Sequence, residues 1–408
     1  MDNIILVVLT IFGTYFLFYS LYWLVLVLTS LVPFRPRRAV TAEVPEMLLV
    51  LPAYKPGEVF FKVLDSVSRA VAGKRIKVLV LLQEPDDDRF ASRATALGFE
   101  VRNRKFSHIP GNSYQHALRY IASVIRRGIR AGMWNPEFVM LVDKDNLINK
   151  EYFDVIPSNF YEQYDVIQGQ RKSLSSESGI AFFDHISETL NDAMFRSGKM
   201  PIGGAVEISG SGMLIETALF VQMIKKLDPN APGFDKNLMS LMLANPRDIR
   251  TVFWPASFLE EEKTADLAVH GQQRIRWFGE QYYNAIHQAW PLLKAFVRYR
   301  RWAAFDYIIT LWRPPRSIQL LIAPVMAILE WVFYLLSGTW FAGFPVFTVS
   351  FGALCLAVFI FLSGTGQLRE ALRFALLIPR LVWVNFSSAR RSLQKKNLGK
   401  FIHTEHRI

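Results

Sequence analysis

Phe138-Val139-Met140-Leu141-Val142-Asp143-Lys144-Asp145-Asn146 is five apolar residues closed by two carboxylates spaced two apart. A short apolar run bounded by polar residues reads as a buried strand. In a parallel α/β sheet, ligands bind beyond the carboxyl ends of the strands, so Asp143 and Asp145 fall where chemistry is expected. Their hard oxygens suit magnesium or manganese, which in turn hold the oxygens of a diphosphate. The same pair also serves as an ordinary loop or helix cap, so its surroundings must decide.

Outward from this strand the pattern repeats. Between Val44 and about Tyr282, short apolar runs alternate with longer amphipathic ones, as in a sheet covered by helices. The further strand candidates are Met47 to Leu51, Lys77 to Leu82, Val166 to Gln168 and Thr251 to Trp254, with helices expected over Ser113 to Arg127 and Glu151 to Tyr164. The expected fold class is α/β, a mostly parallel sheet with helices.

The 408-residue chain is 51% hydrophobic and 14% aromatic, more apolar than an average soluble domain. Three runs account for the excess. Ile4 to Phe34 carries no charge, Ile318 to Ser337 carries only Glu330, and Thr339 to Leu362 carries none. Each has the roughly 20 apolar residues a spanning helix needs. The first lacks a basic leader and a clear cleavage site, so it reads as a retained anchor. Arg35, Arg37 and Arg38 follow it and Asp2 precedes it, which places the N-terminus outside and the sheet domain in the cytoplasm. The later spans return the chain to that side, where Arg390, Arg391, Lys395, Lys396, Lys400 and Arg407 collect.

The organisation expected is an anchor at 1–40, a cytoplasmic catalytic domain at 41–282, interfacial amphipathic helices at 283–316, two spanning helices at 317–364, and an interfacial helix with a basic tail at 365–408. The location expected is the plasma (inner) membrane, multi-pass. Net charge is +12, but the basic residues sit beside apolar runs and no nucleic-acid module is visible, so lipid headgroups and not nucleic acid are the expected partners. The one cysteine, Cys355, lies inside a span and allows neither a disulfide framework nor a thiolate metal site.

Further motifs follow in order: Leu51-Pro52-Ala53-Tyr54-Lys55-Pro56, Leu82-Gln83-Glu84-Pro85-Asp86-Asp87-Asp88, Gly111-Asn112-Ser113-Tyr114, Ser209-Gly210-Ser211-Gly212-Met213, Gly233-Phe234-Asp235-Lys236 and Gln273-Arg274-Ile275-Arg276-Trp277. The glycines of the fourth serve either a tight turn or a close approach to ligand. In the last, Gln273, Arg276 and Trp277 share a helical face. Together with the two aspartates, this ordered set resembles family 2 glycosyltransferases of the membrane-bound, processive kind, which includes cellulose, chitin and hyaluronan synthases.

The resemblance implies a GT-A-type (nucleotide-diphospho-sugar transferase) fold and an inverting enzyme. It would polymerise a nucleotide-sugar, with a UDP-sugar expected, into a β-linked polysaccharide coupled to export, using Mn2+ or Mg2+. It implies metal binding by Asp145 and Asp143, and donor binding by Tyr54, Glu84, Asp143, Gln273 and Arg276. Acceptor contacts would come from Ser211, Gly212, Met213 and Trp277, with Asp235 as general base. The sequence departs from the pattern at Glu84, where aspartate is usual, and at Phe234, where glutamate is common. If the alignment slips there, the base falls in Glu260-Glu261-Glu262. Phe401 to Arg407 resembles a terminal segment of some bacterial relatives and is assigned no role.

Glu330 reads either as lining a polar path or as a partner of Arg313 or Arg316. A second copy or an accessory export subunit could complete a channel that three spans leave narrow. Two other readings stay open: transfer of a single sugar to a membrane lipid, and a non-catalytic accessory membrane protein that keeps the transferase fold.

Overall fold

The computed structural model describes residues 3–35, 44–85, 87–109, 113–174, 178–261, 263 and 266–394. Asp2, Arg37, Arg38, Asp86, Gly111, Asn112, Glu262, Lys395, Lys396, Lys400 and the stretch Phe401 to Arg407 lie outside the described residues. The strands are β1 (Met47–Tyr54), β2 (Ile76–Gln83), β3 (Glu100–Arg104), β4 (Phe138–Leu141), β5 (Asn146–Ile148), β6 (Val166–Ser173), β7 (Met213–Glu216) and β8 (Thr251–Glu261). The helices of the sheet domain are α1 (Asn3–Ser30), which precedes it, α2 (Val59–Val71), α3 (Arg89–Ala96), α4 (Ser113–Arg130), α5 (Phe160–Gln163), α6 (Gly179–Phe195), α7 (Thr217–Lys226) and α8 (Phe234–Leu243). After β8 come α9 (Leu267–Tyr299), α10 (Trp302–Leu311), α11 (Arg316–Ser337), α12 (Val346–Gly364), α13 (Leu368–Arg373) and α14 (Ile378–Ser392).

All eight strands form one sheet in the order β3-β2-β1-β4-β7-β6-β8-β5. The β1–β2, β1–β4, β2–β3 and β6–β8 pairs are parallel, while β7 runs antiparallel to β4 and β6, and β5 antiparallel to β8. The sheet is therefore mixed, less parallel than the sequence pattern implies. Alternation along β1 divides the core into two layers. Leu48 and Val50 face Leu118, Ile121 and Ile125 of α4, whereas Met47, Leu49 and Leu51 face Phe60, Val63 and Val67 of α2. Because helices cover both faces, the central strands β1 and β4 are apolar along their length instead of alternating with polar residues.

The helix expected over Glu151 to Tyr164 forms only at Phe160–Gln163. Pro157 supplies no N–H and disfavours helical backbone at Ile156, so the preceding residues run as turns. Tyr152 and Phe153 there are core residues, 0% and 1% exposed.

Helices α1, α11 and α12 are long and apolar enough to cross a membrane. They are not a separate unit. Lys199 and Asp306, both fully buried, form an ion pair joined by Tyr22 of α1, whose hydroxyl donates to Asp306 Oδ1 at 2.6 Å. Removing one partner of such a pair strands a buried charge, so it locks α1 and α10 against the sheet domain. The division expected between residues 282 and 283 falls inside α9, a single helix.

Glu330, also fully buried, pairs with no arginine among the described residues. Its carboxylate accepts from the Phe347 and Thr348 N–H groups at 3.3 and 3.0 Å and from the Thr348 hydroxyl at 3.0 Å. These are orphan donors at the start of α12, where a negative group is favoured. Glu330→Gln is expected to lower stability by about 1–2 kcal/mol, the scale of a lost helix cap, read as a lower thermal midpoint in lipid. An unchanged midpoint would remove the capping role.

Candidate active site

Seven of the residues singled out by their sequence motifs converge on one cleft of about 460 Å³ at the carboxyl ends of β1, β2 and β4. Tyr54, Asp143, Asp145, Asp235, Gln273, Arg276 and Trp277 all line it. Lys144, between the two aspartates, donates through Nζ to the carbonyls of Tyr54 at 2.7 Å and Lys55 at 3.2 Å, tying the end of β1 to the acidic loop. Lys55 and Glu84 both adopt positive φ, +41° and +50°. Non-glycine residues held there carry local strain, typically about 1 kcal/mol or more, and such positions cluster at functional sites.

The acidic loop has a distinctive balance. Burial in the cleft, and then the neighbouring Asp145, push the Asp143 carboxyl up to about 7, with Glu261 adding to the rise and Arg171 opposing it. The Tyr114 hydroxyl donates to Asp143 Oδ1 at 3.4 Å, and the Asp143 N–H donates to Ser211 Oγ at 3.0 Å. A buried carboxylate raised by a neighbouring one fits a divalent cation, which relieves the repulsion between them. Among the described residues no group of three or more His, Cys, Asp or Glu is arranged to hold a metal. The chain thus offers two hard carboxylates, leaving other positions to substrate oxygens and water, the habit of magnesium sites.

The floor behind this loop is a closed ionic network. Arg171 of β6 pairs with Glu188 and lies 3.6 Å from Glu261, while Lys263 bridges the same two glutamates. Burial alone would raise Glu188, but the facing Arg171 and Lys263 outweigh it and hold it well below the carboxylate range. Glu261 is thereby committed to cations, which leaves it poorly suited to act as the base.

On the opposite wall, Asp235 sits in the first turn of α8, one-quarter exposed, accepting from the Lys236 N–H at 2.8 Å. Gly233 precedes it with φ +69°, a backbone only glycine adopts freely, and a Cβ there would meet Glu280 Cβ at 2.9 Å. Phe234, at the position where the sequence departs from the family pattern, fills space instead of adding charge. Its ring lies 5.1 Å from that of Tyr114 and against Gly210.

The Gln273 to Trp277 stretch lies on α9 as expected. Arg276 Nε is 3.7 Å from Glu280 Oε1, and Arg274 pairs with Asp184 while its guanidinium lies 4.5 Å above the Trp277 ring. That stacking fixes the indole across the cleft wall. Residues 45–280, well over half of the chain, match the model of the family described as glycosyltransferase like family 2.

The chain belongs to this family. Among solved structures, this glycosyltransferase is similar to a mannosyltransferase from Pyrobaculum calidifontis in complex with GDP-Man and Mn2+. The match covers 96% of this chain and 99% of that one at 12% identity, with a TM-score of 0.54. At that identity the likeness concerns the GT-A fold. A glucosyl-3-phosphoglycerate synthase from Mycobacterium tuberculosis, in complex with Mn2+, UDP and phosphoglyceric acid, is similar over 60% of this chain and 82% of its own. Its identity is 16% and its TM-score 0.40. No curated protein matches the sequence.

Not every motif residue of the transferase reaches the cleft. Glu84 is turned away, accepting from the Ser107 N–H at 3.0 Å, and hydrogen bonding to Ser107, through its side chain first and then this N–H, lowers its pKa. Ser211 is fully buried beneath Asp143, Gly212 makes a turn at φ +71°, and Met213 enters β7 with its side chain in the core. Within that motif, Ser209 and Gly210 are the residues on the cleft wall.

The site also holds residues the sequence reading did not single out. Gln83, 1% exposed at the end of β2, lines the cleft with both amide atoms unpartnered. Glu280, 8% exposed, has its carboxyl raised by burial. Gln83 adjoins Glu84 in sequence and its strand-end position was a signal for it; Glu280 lies beyond the Gln273 to Trp277 motif and only the packing of α9 against the start of α8 reveals it.

Proposed function

We propose that the enzyme transfers a sugar from a nucleotide-activated donor with inversion, and extends a β-linked polysaccharide at a membrane. The observation that carries this reading is the convergence of Tyr54, Asp143, Asp145, Asp235, Gln273, Arg276 and Trp277 on one cleft. In it the nucleotide lies over the ends of β1 and β2, with Tyr54 beside it and the free Gln83 amide offering one donor and one acceptor to the base. Asp145 and Asp143 would hold Mn2+ or Mg2+, which supplies charge neutralisation for the diphosphate. Arg276 and Gln273 place donors on the same leaving group.

Asp235 takes the proton of the acceptor hydroxyl as that oxygen attacks the anomeric carbon from the face opposite the nucleotide. The electron pair of the broken glycosidic bond leaves on the diphosphate. Trp277 offers a flat face on which the acceptor sugar stacks. The exposed Ile286, Trp290, Val297 and Trp302 along α9 and α10, at 61%, 62%, 69% and 44%, suit a membrane interface beside the spanning helices. With the anchor at α1 this supports the expected placement of the catalytic domain against a membrane.

A second reading, one sugar moved to a membrane lipid, is favoured by the packing between the spans: Glu330 caps a helix, and Lys199 with Asp306 fills the space between α1 and α10. Product length separates the two. Purified protein in lipid, given Mn2+ and radiolabelled UDP and GDP sugars in turn, is expected to yield a ladder or high-mass polymer from one donor. A single lipid-linked sugar would establish the second reading, and no nucleoside diphosphate released from any donor would overturn both.

A further inference from the structure

The end of the cleft nearest the spanning helices carries a cation without a counter-ion. Arg316 opens α11, and its Nη2 donates to the Ser187 carbonyl at 3.0 Å, the Ser187 hydroxyl at 2.9 Å and Asn191 Oδ1 at 2.9 Å. All three partners are neutral. Its other terminal nitrogen, Nη1, is buried with no hydrogen-bond partner. The neighbouring arginines are matched: Arg274 with Asp184, Arg313 with Glu207 and Arg196 with Asp192. Among the described residues Arg316 has no such carboxylate, so this end of the cleft holds one positive charge in excess.

A second group there is also unsatisfied. Trp23 of α1 is 1% exposed and lines the same cleft, yet its indole N–H donates to nothing. Both orphans are donors and neither side chain can accept. A water would satisfy the indole but not the uncompensated charge, and leaving a guanidinium buried without an anion is costly. The start of α11 adds its own partial positive charge. The occupant that fits is an anion with several acceptor oxygens, because its donors come from two different helices, α1 and α11.

We propose that Trp23 and Arg316 bind the phosphoryl group of a membrane lipid that serves as the acceptor, or carries it. This deepens the transferase reading and rests on it. Two features point to a lipid and not to a soluble phosphate. Both donors stand on helices long and apolar enough to span the bilayer, so an alkyl chain leaving the phosphoryl group meets apolar surface. The donor diphosphate has its own proposed binding groups, Asp143 and Asp145 after β4 and Arg276 on α9.

The test uses the full chain in phosphatidylcholine nanodiscs, with radiolabelled dodecyl phosphate, dodecanol and inorganic phosphate as probes and UDP and GDP as controls. Dodecyl phosphate is expected to bind at least about tenfold more tightly than either other probe, the scale of one charge-assisted hydrogen-bonding group. Arg316→Gln should remove that advantage, Arg316→Lys should keep part of it, and Trp23→Phe, which removes the indole N–H together with one ring of a buried side chain, should weaken binding about threefold. Nucleotide binding should be unchanged in all three, which also reports a folded cleft. Equal dodecyl phosphate binding by wild type and Arg316→Gln would overturn the proposal, as would inorganic phosphate binding as tightly as dodecyl phosphate. Failure of the wild type to bind either nucleotide would instead sink the transferase reading and leave the lipid result to stand by itself.

Discussion

Asp235→Asn is expected to lower sugar transfer by about 10²–10⁴-fold, the usual contribution of a positioned general base, with nucleotide binding unchanged. The substitution keeps the size of the side chain and its acceptor oxygen, so the Lys236 N–H at 2.8 Å retains its partner and the first turn of α8 is preserved. What disappears is the ability to take a proton. Because the interaction is made only as the acceptor hydroxyl ionises, the loss should fall on kcat and leave donor affinity alone. The competing base is Glu280, which also lines the cleft and whose carboxyl burial raises. It lies within reach of Arg276, 3.7 Å away, and is only 8% exposed, whereas Asp235 is one-quarter open to the space an acceptor would fill. Glu280→Gln should therefore cost far less than Asp235→Asn. If the order of the two losses is reversed, the base is Glu280 and the role drawn here for Asp235 is wrong.

The ease of finding these residues from sequence varied for physical reasons. Strands buried on both faces announce themselves, and β1, β2 and β4 were legible because Met47 to Leu51, Lys77 to Leu82 and Phe138 to Val142 are apolar runs with clear ends. β3, Glu-Val-Arg-Asn-Arg, was not, since an edge strand exposed to solvent needs no apolar pattern. β7 was hidden for a different reason. Met213 to Glu216 follows directly on Ser209 to Gly212, so the small residues drew attention to a turn while the strand after it runs antiparallel between β4 and β6. Nothing local encodes that direction. It also explains why Ser211, Gly212 and Met213, expected at the acceptor, lie under the acidic loop instead.

Side-chain charge balance was still less legible. Asp143 and Asp145 could be singled out because they follow a strand, but Arg171 and Lys263 are distant from them in sequence, and Arg171 comes beside Glu261 only when β6 and β8 pair with the register that sets Arg171 beside Leu259. Glu330 shows the opposite failure. An isolated charge in an apolar run draws a functional reading, yet its carboxylate is satisfied by the next helix, 17 and 18 residues on. A motif can therefore locate a candidate side chain in sequence, whereas its partners depend on contacts between elements that the motif does not contain.

Asp145→Asn is expected to cost at least about 100-fold in transfer. Loss of a group that merely orients a metal ligand already costs about 10- to 100-fold, and Asp145 is placed as a ligand itself. The informative readout is nucleotide affinity with and without Mn2+. In the wild type the cation should tighten UDP or GDP binding, because it joins two crowded carboxylates to an anionic diphosphate that they would otherwise repel. Chelation should abolish that gain. In Asp145→Asn the nucleotide should bind about equally with and without Mn2+, since one negative charge has gone and with it both the repulsion and the cation's main ligand. Asp143→Asn should behave differently. Its carboxyl is raised to about 7 by burial and by Asp145, so near neutral pH it is already partly protonated, and the amide removes less charge than the same change at Asp145. The variant should then keep a measurable Mn2+ response. If Mn2+ still tightens nucleotide binding in Asp145→Asn as strongly as in the wild type, the cation is held by other groups and the acidic loop has some other task.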